Sequence, residues 1–271
     1  MKIRHSTRGA VRALMLIALG AAAGAGGSWA LRSSGHKLDA ITTHGEWVKY
    51  ANATGDSIRA YVAYPERKDP GPAVIVIHEI FGLTDWEPTV VDKLAAAGYV
   101  AIVPDLQSSK YGKSPTDPDS GRKITALLVP DQVTADLDAT YGYITKQTGV
   151  KKDAVGTIGF CWGGGQSFRY ATNNPKLKAA VVCYGPPPDS AALARVHSPI
   201  LGVYGENDER TTGALPAISA QFKAQGVPFP HQIYPGTGHG FLKPGRKGSD
   251  TDQVDKAWQD IFGFYKQYLD K

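Results

Sequence analysis

The sequence predicts an α/β fold, a mostly parallel central sheet with helices on both faces. Short apolar runs such as "AVIVIHE" (73–79) and "AAVVCYG" (179–185) lack the in-and-out alternation of a half-buried strand. Strands covered on both faces read this way. The runs alternate along the chain with segments of helical period, the signature of repeated β-α units. The chain has 271 residues, 42% of them apolar and 20% charged, which suffices to bury a large core in one domain.

Taken in order, "EWVKYANATGDSIRAYVAY" reads as two strands around a Thr-Gly-Asp turn, an opening hairpin. "AVIVIHE" is a buried strand, "VVDKLAAAGY" a helix, "VAIVPDL" a strand and "VTADLDATYGYITKQ" a helix with apolar spacing near 3.6. The strand "AVGTIGF", a helix through "GQSFRYATNN" and the strands "AAVVCYG" and "PILGVYG" follow. "LPAISAQFKAQG" is a helix, "PHQIYPG" the last strand, and "QVDKAWQDIFGFYKQYL" a closing amphipathic helix. Residues 107–131, rich in Ser, Pro, Asp and Lys, read as an excursion near the strand tops. No internal repeat or second domain is evident, and the single domain is expected over 46–271.

Ahead of it, Lys2, Arg4, Arg8 and Arg12 precede the uncharged run from Ala13 to Leu31, and "SWA" gives a small-x-small cleavage pattern ending at Ala30. Residues 1–30 therefore read as an export signal, or as a membrane anchor if uncleaved, with 31–45 as a linker. The body is expected in the periplasm or secreted. Those four cations account for most of the net charge of +5, so the basic balance points to no nucleic-acid partner. The two cysteines, Cys161 and Cys183, are too few for a disulfide framework.

Chemistry concentrates in "IGFCWGGG". Gly159-Phe160-Cys161-Trp162-Gly163 fits Gly-x-nucleophile-x-Gly, a sharp strand-to-helix turn with glycines where backbone crowds the site. Such a turn lifts Cys161 above the sheet and sets it at a helix N-terminus, where free N–H groups and the helix dipole favour thiolate. The Trp162 N–H then faces a developing oxyanion. A base and its orienting acid should follow in the order acid, base. "GVYGENDERT" supplies Asp208 and "QIYPGTGHGF" supplies His239, each just beyond a predicted strand. His78 ends the strand "AVIVIH" and reads as a packed, hydrogen-bonded histidine. In "HEIFG", Gly82 stands where H-E-x-x-H needs its second histidine, so no metal is expected, and no cofactor.

Together these segments resemble the dienelactone hydrolase family of α/β-hydrolases, from about Trp47 to the C-terminus, through "HEIFGL", "GYVAIVPDL", "GFCWGG", "YGENDE" and "GTGHGF". The resemblance implies the α/β-hydrolase fold and a Cys161-Asp208-His239 triad. It further implies that Glu79 interacts with the thiol and helps generate thiolate when substrate binds, and that Ile80 N–H joins Trp162 N–H in the oxyanion hole. The implied activity is cysteine-dependent hydrolysis of an ester or lactone. The family's arginines after "PDL" and after the catalytic histidine are absent: "PDLQSSKYGK" offers Gln107, Ser108, Ser109 and Lys110, and "HGFLKPGR" offers Lys243 and then Arg246. Lysine supplies charge without arginine's planar fork, so an anionic substrate is left open. Trp162, Phe81 and Tyr184 are candidates to line an apolar pocket.

Alternatives stay open at this stage: a small-ester carboxylesterase or thioesterase, a non-catalytic binding protein on the same fold, and a Cys161–Cys183 disulfide that would silence the thiol. A small-molecule substrate and a monomer are the expected partner and state.

Overall fold

The computed structural model describes residues 44–270. The segment 1–30 and nearly all of the linker lie outside them. The strands are β1 (His44–Ala51), β2 (Ser57–Tyr64), β3 (Gly71–Ile77), β4 (Val100–Pro104), β5 (Val150–Phe160), β6 (Ala179–Cys183), β7 (Ile200–Asn207) and β8 (His231–Gly238). The longer helices are α1 (Trp86–Ala96), α3 (Pro118–Leu127), α4 (Pro130–Ile144), α5 (Trp162–Asn173), α8 (Leu215–Gln225) and α9 (Asp252–Leu269). Short ones are α2 (Ser108–Tyr111), α6 (Ser190–Leu193) and α7 (Glu209–Thr212). None of the described helices is long and apolar enough to cross a membrane.

All eight strands form one sheet in the order β1-β2-β4-β3-β5-β6-β7-β8. The β1–β2 and β2–β4 pairs are antiparallel, and every pair from β4 to β8 is parallel. Period-two alternation splits the buried residues of each strand between two cores. Val74, Val76, Ile158 and Phe160 pack with Val91 and Leu94 of α1 and Trp258, Ile261 and Tyr265 of α9. Ile75, Ile77 and Ile102 pack on the other face with Leu137 of α4, Phe168 of α5 and Phe222 of α8. The fold predicted from the apolar runs is the one observed.

Two expectations change. His44 and Gly45, assigned to the linker, are strand residues in register with Tyr64 and Ala63. A His-Gly pair carries no apolar alternation, so only pairing with β2 reveals them. The excursion 107–131 also holds helices α2 and α3. The signal for α3 was present in Asp117-Pro118: the Asp117 carboxylate accepts from Ser120 N–H at 2.9 Å, and proline occupies the first turn.

The chain leaves β3 to form β4 on one side, then returns across β3 to form β5 on the other. In open α/β sheets the crevice beyond the strand ends at such a reversal is where ligands bind. The segments that follow β3 and β5 are the ones carrying Glu79-Ile80 and Cys161.

Candidate active site

Cys161 occupies the single residue between β5 and α5, with φ 56° and ψ −114°. Among the described residues, only Cys161 and Tyr184 are non-glycine residues with positive φ. Each such backbone costs on the order of 1–3 kcal/mol and persists only where the surroundings enforce it. Here they do. Cys161 N–H donates to the Cys183 carbonyl at 3.0 Å, and the Cys161 carbonyl accepts from Gly165 N–H at 3.2 Å. A Cβ on Gly159 would strike the Gly163 carbonyl, and one on Gly163 would strike the carbonyls of Ile77 and His78. The glycines are thus fixed by contact between the elbow and the end of β3.

Asp208 follows β7 and His239 follows β8. Asp208 Oδ2 lies 2.6 Å from His239 Nδ1 and accepts the Thr211 hydroxyl at 2.7 Å. The Asp208 side chain is buried, and the imidazole is about a third exposed. With Nδ1–H donating to a carboxylate, the other ring nitrogen, Nε2, is the one free to take a proton. Nε2 is buried and has no protein partner at hydrogen-bond geometry. Burial pulls the His239 pKa down, but the neighbouring Cys161 and Asp208 outweigh it, and the net shift is upward. Those interactions bring the thiol and the imidazole into one group. The Arg210 guanidinium stands 3.5 Å from Nδ1, beside the pair.

The loop after β3 supplies the facing wall. Ile80 and Phe81 are partly exposed, and their N–H groups meet no acceptor among the described residues. Trp162, the first residue of α5, likewise has no acceptor for its N–H. Glu79 is 2% exposed, and its Oε2 pairs with Lys243 Nζ at 2.8 Å. The resemblance implies that Glu79 acts on the thiol when substrate binds; here its carboxylate is paired with Lys243. The same contact gives a carboxylate partner to Lys243, named from the sequence as a candidate substrate-binding residue. Its ammonium also lies 5.7 Å from the Phe81 ring centre and 5.1 Å from that of Trp86.

Tyr184 is fully buried, with its ring edge-on to His239 at 5.1 Å between centroids. Its hydroxyl has no hydrogen-bond partner among the described residues, and burial, with the Glu79 charge next, pushes the phenol well above its ordinary range. Expected from the sequence to line a pocket, Tyr184 instead packs beneath the imidazole with no exposed surface, because the rings of His239 and Phe241 cover it.

Other residues named from the sequence serve the fold. Gln107 donates to the Gly121 carbonyl and Thr125 hydroxyl, Ser109 to Asp136, and Lys110 to Asp56. Ser108 accepts the Arg59 N–H and donates to the Asp105 carbonyl. His78 is buried; Leu106 N–H donates to its Nε2, so Nδ1–H donates to the Glu79 carbonyl at 2.8 Å. Cys183 is buried in the strand beside β5, where burial pushes its thiol up, and both cysteines are free thiols. Sequence reasoning missed Glu87, whose signal was the Thr84-x-x-Glu87 capping pattern ahead of α1. A surface pocket elsewhere, between Tyr50 and Tyr143, shares no residue with this group. Its lining includes Asp138 and Lys146 but no cysteine, serine or histidine.

A mostly parallel sheet with a strained strand-to-helix elbow, and an acid and a histidine on the loops after two later strands, is the α/β-hydrolase fold. Within that class, the profile of the dienelactone hydrolase family matches residues 58–269, and the chain belongs to this family. It is 35% identical over 240 residues to the Escherichia coli K12 protein named "Putative carboxymethylenebutenolidase", covering 79% of this chain and 84% of that one. A Saccharolobus solfataricus protein of the same name is 31% identical over 255 residues, covering 80% of this chain and 97% of its own length. Among solved structures, a "Putative Dienelactone Hydrolase" from Klebsiella pneumoniae superimposes with a TM-score of 0.76 at 26% identity, covering 84% of this chain and all of that one.

Proposed function

We propose that the protein hydrolyses ester or lactone bonds through a thioester on Cys161. The observation that carries this reading is the imidazole of His239, tied at Nδ1 to Asp208 with Nε2 left free to take a proton, in a chain whose Cys161 sits on a strained strand-to-helix turn. His239 Nε2 takes the thiol proton, and the sulfur attacks the acyl carbon. The carbonyl π electrons move to oxygen, and the N–H groups of Ile80 and Trp162 hold that charge. Losing one such donor typically costs ~10²–10³ in rate. The tetrahedral centre collapses, the C–O bond to the alcohol breaks, and the imidazolium gives its proton to the leaving oxygen. Water, deprotonated by the same nitrogen, then cleaves the thioester and releases the acid. A lactone opened in this way yields a hydroxy acid, or a keto acid if it was an enol lactone.

The substrate is a small ester or lactone held against Phe81 and Trp162, the partly exposed aromatics of the site. Lys243 can receive a substrate carboxylate only in competition with Glu79, so an anionic lactone must exchange one ion pair for another. Its release of Glu79 would let that carboxylate act on the thiol. The same pairing favours a second reading, a small neutral-ester carboxylesterase, because it leaves the pocket without net charge from this pair. We further propose export to the periplasm or beyond and action as a monomer, which mass spectrometry and sedimentation of the mature protein would check.

The test is initial hydrolysis of p-nitrophenyl acetate and of a dienelactone by the wild-type protein and Cys161→Ala under reducing conditions. The variant should fold normally and lose at least ~10³-fold in turnover, as loss of a nucleophile does. Equal rates for the two proteins would refute the thiol mechanism. A strong preference for the dienelactone would select the anionic reading.

A further inference from the structure

Glu87 is a fully buried acid that the thioester mechanism does not use. Among the described residues it has no cationic partner within ion-pair distance. A carboxyl group so placed must be compensated by hydrogen bonds. One oxygen, Oε2, accepts the Thr84 N–H at 2.8 Å and the Thr84 hydroxyl at 2.6 Å. The other, Oε1, faces the Glu79 N–H at 3.5 Å, a long contact. Asp85, flanking α1, already has helical angles (φ −67°, ψ −12°), so Thr84 and Glu87 stand as cap and third residue of the first turn, the capping-box spacing.

The two oxygens reach opposite ends of one loop. Inside it, Gly82 N–H donates to the Glu79 carbonyl at 3.2 Å and Leu83 N–H to the Ser114 hydroxyl at 2.8 Å. From Glu79 to Thr84, only the N–H groups of Ile80 and Phe81 lack an acceptor among the described residues. The free Ile80 N–H therefore follows directly on the peptide that Glu87 holds. Gly82, with φ 81°, turns the loop, and Gly121 of α3 closes on the Phe81 carbonyl.

We propose that Glu87 is a positioning residue for the oxyanion hole, holding both ends of the Glu79–Thr84 loop so that the Ile80 N–H stays directed at the reacting carbonyl. This rests on the reading of Cys161 as nucleophile and Ile80 as donor. Glu87 touches no substrate. It acts through the loop, and displacing a donor by about an ångström can cost ~10²-fold in rate.

The experiment compares two reactions of the same thiol. Acylation by p-nitrophenyl acetate, followed as a single turnover, passes through an oxyanion; alkylation by iodoacetamide does not. Glu87→Gln keeps the volume but turns an amide N–H toward one of the donors. The expected result is acylation slowed ~10- to 100-fold, with alkylation within about twofold of wild type. Thr84→Ala, which removes only the hydroxyl donor, should show the same split at roughly 3- to 10-fold and serves if Glu87→Gln does not fold. Equal slowing of both reactions, or unchanged acylation, overturns the role of Glu87. Wild-type turnover in Cys161→Ala would instead overturn the nucleophile, an outcome read on a different protein.

Discussion

Replacing Lys243 by Met should destabilise the protein far more than the loss of one lysine normally would. Its Nζ lies 2.8 Å from Glu79 Oε2, with the lysine side chain 18% exposed and the glutamate 3%. At an effective dielectric near 20, the attraction at that distance is about 6 kcal/mol, and desolvating the two ions opposes it by several kcal/mol each. The intact pair is therefore worth little net, but severing it strands Glu79 below the surface, which typically costs about 3–5 kcal/mol. Methionine keeps a flexible apolar chain near the rings of Phe81 and Trp86, so packing loss should be small. For a domain of this size, ~4 kcal/mol lowers Tm by about 8–16 °C. Glu79→Gln should cost less, about 1–2 kcal/mol, because the more exposed lysine can extend its ammonium toward water. The double variant, with both charges gone, should recover to within ~1 kcal/mol of wild type. Urea midpoints at constant m-value measure all four corners of this cycle. If the two substitutions are additive, the side chains are not energetically paired and the reasoning fails.

Two further outcomes follow from the site. Glycine adopts positive φ freely, so Cys161→Gly should be more stable than Cys161→Ala by about 1 kcal/mol, although both lack the thiol. An alanine variant as stable as the glycine one would mean that the elbow is not strained. The raised pKa of His239 means that the folded protein keeps a proton the unfolded chain has released. That contribution is fully present below the ordinary histidine value of about 6.5 and is lost as pH rises through the higher folded value. The stability of wild type relative to His239→Gln should accordingly shrink as pH rises above the ordinary histidine value, read from urea midpoints at each pH. A difference that grows with pH would contradict the shift.

What could be read from the sequence, and what could not, divides by range. The elbow is local as a pattern: Gly159, Cys161 and Gly163 lie within five residues, and Gly159 is required by the Gly163 carbonyl, although Gly163 itself is required by the distant carbonyls of Ile77 and His78. Asp208 and His239 were found because strand ends can be located from apolar runs. The Glu79–Lys243 pair could not be found so, since 164 residues separate its members. Nor are their strands neighbours: β5, β6 and β7 stand between β3 and β8, roughly 19 Å at ordinary strand spacing, and the chain from His239 to Lys243 runs back across that edge. A residue's own segment cannot announce that its charge will be met from four strands away. Glu87 is the intermediate case. Its capping pattern with Thr84 is local and legible as a helix start, but its second oxygen reaching Glu79 exists only once α1 has packed against β3 and β4. The same four residues thus begin a helix and hold the loop from which an acyl oxygen would be met, and only the first of those roles has a sequence signature.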